Sequence, residues 1–162
     1  MKKIILTFAL ALAAVSALAQ TSKAIYSRYS EHKGVSAVYI SPAMFSLIGR
    51  VPELEIADGD VDIAPIIKNL QGMYILDCEN PAVGAKLYAD VEKLIKSGEF
   101  ELLLEAKDDG ETVRMYTVGD KKIIRSFVLL ATDDEETAFI NFEGEIPREK
   151  LEAMIASAAS EN

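Results

Sequence analysis

Carboxylates are the most abundant groups in this chain that could do chemistry. Asp58, Asp60 and Asp62 alternate around Gly59, with Glu53 and Glu55 just before them, and alternate carboxylates on a loop can converge on one cation. A calcium loop of the helix-loop-helix kind, counted from Asp58, requires Gly at its sixth position and a bidentate Glu at its twelfth. Ile63 and Asn69 occupy those positions, so the run reads as a solvated loop. Asp108-Asp109 and Asp133-Asp134-Glu135-Glu136 are acid clusters of another sort. At hairpin tips such groups cap backbone N–H groups and discourage edge pairing. A carboxylate pair could hydrolyse a glycoside, and residues 53–62 are the source of acids for that alternative. The chain has no Trp, however, with which to stack a sugar ring.

Nucleophilic catalysis has fewer parts still. His32, the one histidine, stands between Glu31 and Lys33 and reads as an exposed polar residue. Nothing near Cys78 or a serine supplies the base and orienting group that a Ser-His-Asp or Cys-His arrangement needs. One His and one Cys fall short of the three or four ligands of a zinc site. Neither G-x-G-x-x-G nor G-x-x-x-x-G-K occurs, so no phosphate loop is expected. The sequence nominates no catalytic residue, no cofactor-binding residue and no metal ligand, and the expectation is a protein that is not an enzyme. Cys78 follows Ile75-Leu76-Asp77 at the end of a strand-like run and reads as an inert, half-buried thiol.

The front of the chain carries an address. Met1-Lys2-Lys3 precedes an apolar run from Ile4 to Leu18, broken by Thr7 and Ser16, and Ala17-Leu18-Ala19 ends it. A basic start, a short apolar stretch and a small-x-small ending are what export and signal peptidase require. A membrane span needs about 20 apolar residues, more than this run holds, and no Cys stands at the cleavage point to carry a lipid. Residues 1–19 are therefore expected to be a cleavable signal, and residues 20–162 a soluble mature protein in the periplasm or secreted. Cleavage changes the tally from 17 basic and 26 acidic residues to 15 and 26, a net of −11. Such a charge repels nucleic acid and anionic membrane at long range. With one Cys, no internal disulfide can staple the fold.

The elements that would position these groups follow from periodicity. Gln20–Lys33 places Tyr26 and Tyr29 on one helical face. Val35–Ile40 reads as a strand, Ser41-Pro42 as a helix start, and that helix carries Met44, Phe45, Leu47 and Ile48 to Gly49. Residues 50–62 form the longest loop. Pro65 starts a short helix through Ile66, Ile67 and Leu70, stopped at Gly72, and Met73–Leu76 is a buried strand. Asn80-Pro81 opens a longer helix with Val83, Leu87, Val91, Leu94 and Ile95 at helical spacing, capped by Gly98. Four strands follow: Phe100–Lys107, with Phe100, Leu102, Leu104 and Ala106 on one face, then Thr112–Val118, Ile123–Thr132 and Ala138–Phe142. Asp108-Asp109-Gly110 is a hairpin signal. Ile123–Thr132 is apolar on both faces and should lie centrally under cover. Gly144 ends the last strand, and Pro147 starts a helix with Leu151, Met154 and Ile155 inward and a fraying tail from Ser157. The expected architecture is a single α+β domain, mainly an antiparallel sheet with a four-strand meander in its second half and helices packed against it.

The signal, Val35–Met44, Leu70–Leu76, the helix before Phe100-Glu101-Leu102-Leu103, Asp108-Asp109-Gly110 and Phe142–Ile146 together resemble a family of small exported proteins of Gram-negative gut bacteria. That family is catalogued as a domain of unknown function. The resemblance implies export and one domain, and it carries over no activity, ligand or site residue. Three functions remain in view. The leading one is a non-enzymatic interaction module whose sheet face or edge, such as strand 137–142, binds an envelope protein. The second is a small apolar-ligand carrier using Met44, Phe45, Met73 and Met115. The third is the acid-residue hydrolase above. N-terminal sequencing of the protein recovered from its native cells is expected to begin at Gln20; recovery of chains starting at Met1 would overturn the export reading.

Overall fold

The computed structural model describes residues 21–48 and 64–160. The expected signal, residues 1–19, and the loop expected over residues 50–62 lie outside the described residues. Helix α1 (Ser22–Tyr29) starts where the Thr21 hydroxyl accepts from the Ala24 N–H at 3.1 Å. Strand β1 (Val35–Ile40) leads into α2 (Pro42–Ile48), opened by the Ser41 hydroxyl accepting from the Met44 N–H at 3.3 Å. The turn α3 (Ala64–Ile67) precedes β2 (Leu70–Cys78). Helix α4 (Pro81–Ser97) begins with the Asn80 side chain accepting from the Ala82 and Val83 N–H groups, leaving Pro81 where no N–H is needed. Strands β3 (Glu101–Asp108), β4 (Glu111–Gly119), β5 (Ile123–Thr132) and β6 (Thr137–Pro147) then run as a meander, and α5 (Arg148–Ser160) closes the chain.

All six strands form one antiparallel sheet in the order β1-β2-β6-β5-β4-β3. The α+β class and the four-strand meander are as expected; β6 is not. Strand 137–142 was to offer an edge, yet β6 is hydrogen-bonded to β2 on one side and β5 on the other. Its side chains fit that interior place: Phe139 and Asn141 are fully buried and Ile146 nearly so. The edges are β1 and β3.

Several boundaries also move. The short helix stops at Ile67, and Leu70 and Gly72 belong to β2. Gly144 does not end β6. A Cβ there would meet the Asn69 carbonyl oxygen at 2.2 Å, so glycine lets the two chains close up while the strand runs on to Pro147, and α5 begins only at Arg148. Gly98 ends α4 in an ordinary conformation, and the positive φ of 56° falls on Glu99. The hairpin at Asp109-Gly110 has φ of 41° and 94°, the two positive angles a tight primed turn demands.

Each face of the sheet carries its own core. Under α1 and α4 lie Ile25, Leu76, Leu87, Val91, Val128, Leu130 and Phe139. On the opposite face Phe45, Ile66, Leu70, Ile124, Phe127, Ile146 and Leu151 pack beneath α2, α3 and α5. Met154 and Ile155 lie outside the described side chains. Strand β5 feeds both cores, as its two apolar faces predict. Simple alternation along β5 would group Ile124 with Val128 and Leu130, but the register slips between Ile124 and Ser126. One extra residue inverts the alternation and turns Ile124 toward Phe127. The same slip between Leu102 and Leu104 puts those two leucines on opposite faces, against the single apolar face read from the sequence.

Where α4 meets α1, Asp90 is 6% exposed. It accepts from the Tyr29 hydroxyl at 2.8 Å, from Lys93 Nζ at 3.1 Å and from the Arg28 guanidinium. Burial alone would raise its pKa, but these three donors outweigh burial and hold it below the usual carboxylate range. Burial, and next the bond to Asp90, push Tyr29 up to about 12, so it stays a donor. A depressed folded-state pKa means stability that is present above the ordinary carboxylate pKa and lost as pH falls through the folded value. Asp90→Asn is expected to cost about 2 kcal/mol at neutral pH. Urea melts from neutral to strongly acid pH should show a shallower acid loss in the variant; parallel curves would refute the assignment.

Candidate functional site

Among the described residues, those considered for chemistry do not come together. His32 is exposed, its ring tilted against Tyr29 at 5.8 Å. Cys78 is fully buried and free, deeper than the half-burial expected, because β2 places it on the face under α4. There its thiol donates to the Asn80 carbonyl at 3.4 Å. Asp58, Asp60, Asp62, Glu53 and Glu55 lie outside the described residues. Among the described residues no three His, Cys, Asp or Glu side chains are grouped to hold a metal ion. Met44 is exposed on α2, Phe45 is buried in the second core, and Met73 and Met115 are half-buried at its border.

A cleft of about 470 Å³ opens at the start of α4, between Pro81, Ala85 and Tyr88 on the helix and the sheet below. Its floor is a registered row of hydroxyls, Thr112 opposite Thr132 and Thr132 opposite Thr137, the last two 3.4 Å apart. Asp133 to Glu136 form the rim. Arg114 enters from β4, donating from Nη1 to the Tyr88 hydroxyl at 2.6 Å and from Nε to Glu105 at 2.7 Å. The bond to Glu105 raises the Arg114 pKa, and Arg114 with Lys107 lowers that of Glu105. The guanidinium is thus engaged by its neighbours, and the cleft is lined by threonine hydroxyls and carboxylates.

The opposite face carries a larger feature. Strand registers align Val38 with Ile75, Ile75 with Ile140, Ile140 with Leu129, Leu129 with Met115, and Met115 with Leu104. One apolar residue from every strand therefore forms a ladder straight across the sheet. The next row toward α2 and α5, Ile40-Met73-Phe142-Phe127, belongs to the second core. Helix α2 follows Ile40, α3 precedes Leu70 and α5 follows Pro147, so the described helices of this face gather at that one end. The ladder runs along their margin, with Leu129 and Met115 packed against the second core. Val38 is 47% and Leu104 40% exposed, and the four residues between are half-buried. Sequence reading found the second apolar face of β5 but not the ladder, since lining up six strands requires knowing where each bulge falls.

A family described as "Domain of unknown function (DUF4252)" matches residues 29–154. No curated protein and no solved structure matches the chain. Among the described residues no helix is long and apolar enough to cross a membrane.

The burial of Cys78 has a direct consequence. Thiol labelling of the native protein should be at least about a hundredfold slower than in denaturant, because it awaits opening of the core. Comparable rates would restore Cys78 as a reactive group.

Proposed function

Since the chain belongs to this family, whose description states no function, we propose that it is a non-enzymatic interaction module offering the open half of its sheet to a protein partner. The observation that carries this reading is the ladder from Val38 to Leu104, with one apolar residue on each of six strands. A contiguous apolar surface with exposed ends is costly in water and marks a binding site more often than a scattered one does. The interior rows of the same face are rigidly registered, so the surface is preformed, and binding there orders little. The signal-like Met1–Ala19 run supports a site of action beyond the inner membrane, in the periplasm or outside the cell. An envelope protein is the corresponding partner.

Photo-cross-linking in the native cells tests this. A photoreactive residue at Val38 or at Leu104, the two ends of the ladder, should give the same discrete adduct. The same residue at Lys86, exposed on α4 over the other face, should not. Adducts from Lys86 alone, or an identical pattern from all three positions, would overturn the proposal.

A further inference from the structure

The ladder is the first of three rows. Two residues further along the strands, Ala106 faces Val113, Val113 faces Ala131 and Ala131 faces Ala138, with Asp77 and Ser36 completing the row. These small side chains leave a trough beside the ladder. Beyond them the margin is built from carboxylates. Asp108 pairs with Glu111, the Asp133 N–H donates to the Glu136 carbonyl at 3.1 Å, and Glu79 follows Cys78. The Glu136 carboxyl shares a hydrogen bond with Asp77 and feels the charges of Asp133 and Glu79. Together these hold its pKa above the ordinary carboxylate value. Apolar, small and acidic rows thus succeed one another over about 13 Å of strand, at about 3.4 Å per residue.

Resting on the reading of this face as a docking surface, we infer that the partner contributes a cationic amphipathic helix, its apolar stripe on the ladder and its Lys or Arg side chains on the acidic margin. Six strands about 4.8 Å apart make the ladder about 24 Å wide, the length of a helix of about 16 residues at 1.5 Å each. The 5.4 Å helical pitch brings an apolar side chain to nearly every strand. Long basic side chains can reach from the trough to the margin with their heads in water. A helix also satisfies its own backbone. A peptide strand would need an edge, and edge β3 is interrupted at Leu103 while edge β1 is six residues long. A second copy of this chain would set carboxylates against carboxylates in a protein of net charge −9.

The test uses the purified protein and two synthetic helices with one leucine face, their polar positions all Lys in one and all Glu in the other. NMR titration should show the Lys peptide shifting the amides of Ile75, Leu129 and Ile140. The Glu peptide should bind at least about tenfold more weakly. The doubly neutralised Asp77→Asn/Glu136→Gln protein should lose about tenfold for the Lys peptide. Neutralisation removes a repulsion, so thermal melts of that variant should show no loss of stability. Val38→Asp/Leu104→Asp, altering exposed ends of the ladder, should abolish binding of the Lys peptide. Equal affinity for both peptides would overturn the charge inference and leave the docking face standing. Shifts confined to the α4 face, or binding indifferent to Val38→Asp/Leu104→Asp, would overturn both. If neither peptide binds, the helix inference fails, and the cross-linking pattern at Val38 and Leu104 alone decides the face.

Discussion

Asp90 lies where α4 meets α1 and ties the two helices together. Three donors from two helices converge on one buried carboxylate, an arrangement that is costly to bury unless every partner is in place. Held there, α1 covers β2 with Ile25 and Tyr29, and α4 covers the sheet centre with Leu87, Val91 and Leu94. The pair closes one face of the sheet. What the other face presents follows from that closure, because α1 and α4 leave it alone.

On that second side the bulges decide where cover ends. The slips at Leu70/Gly72 and Ile124/Ser126 lie at the end where α2, α3 and α5 collect. Each inverts the alternation locally, sending Leu70 and Ile124 into the core beneath those helices. Without the extra residues, both would point toward the α1 face and the anchor for Leu151 would be lost. Beyond the bulges the alternation is regular and no described helix lies over it, which is why the ladder runs straight from β1 to β3.

Much of this was legible in the sequence, for local reasons. Asn80-Pro81 and Ser41-Pro42 announced helix starts because cap chemistry needs only neighbours. Asp109-Gly110 announced a hairpin because positive φ is scarce. The two apolar faces of β5 announced cover on both sides. The failures share a different cause. Gly144 looked like a stop and is a point of close backbone approach to Asn69, set by a chain segment 75 positions away. Strand 137–142 looked like an edge because nothing in its own residues names the partners on either side. The acidic turns at 108–109 and 133–136 read as solubilising tips. That they edge one face together is a property of register, which single strands do not carry.

The placement of β6 bears on how the chain comes into being. It is the last strand in sequence and the seam of the sheet, joining β1-β2 to β5-β4-β3. A growing polypeptide that has not yet delivered residues 137–147 holds two sheet fragments with no strand contact between them, and the buried Phe139 is missing from the core of the α1 face. Closure of the sheet thus waits for a segment near the C-terminus whose pairings reach back to Leu70, across nearly half of the chain. A C-terminal truncation entering β6 would accordingly unzip the domain into its two halves, where one confined to α5 would leave the seam intact.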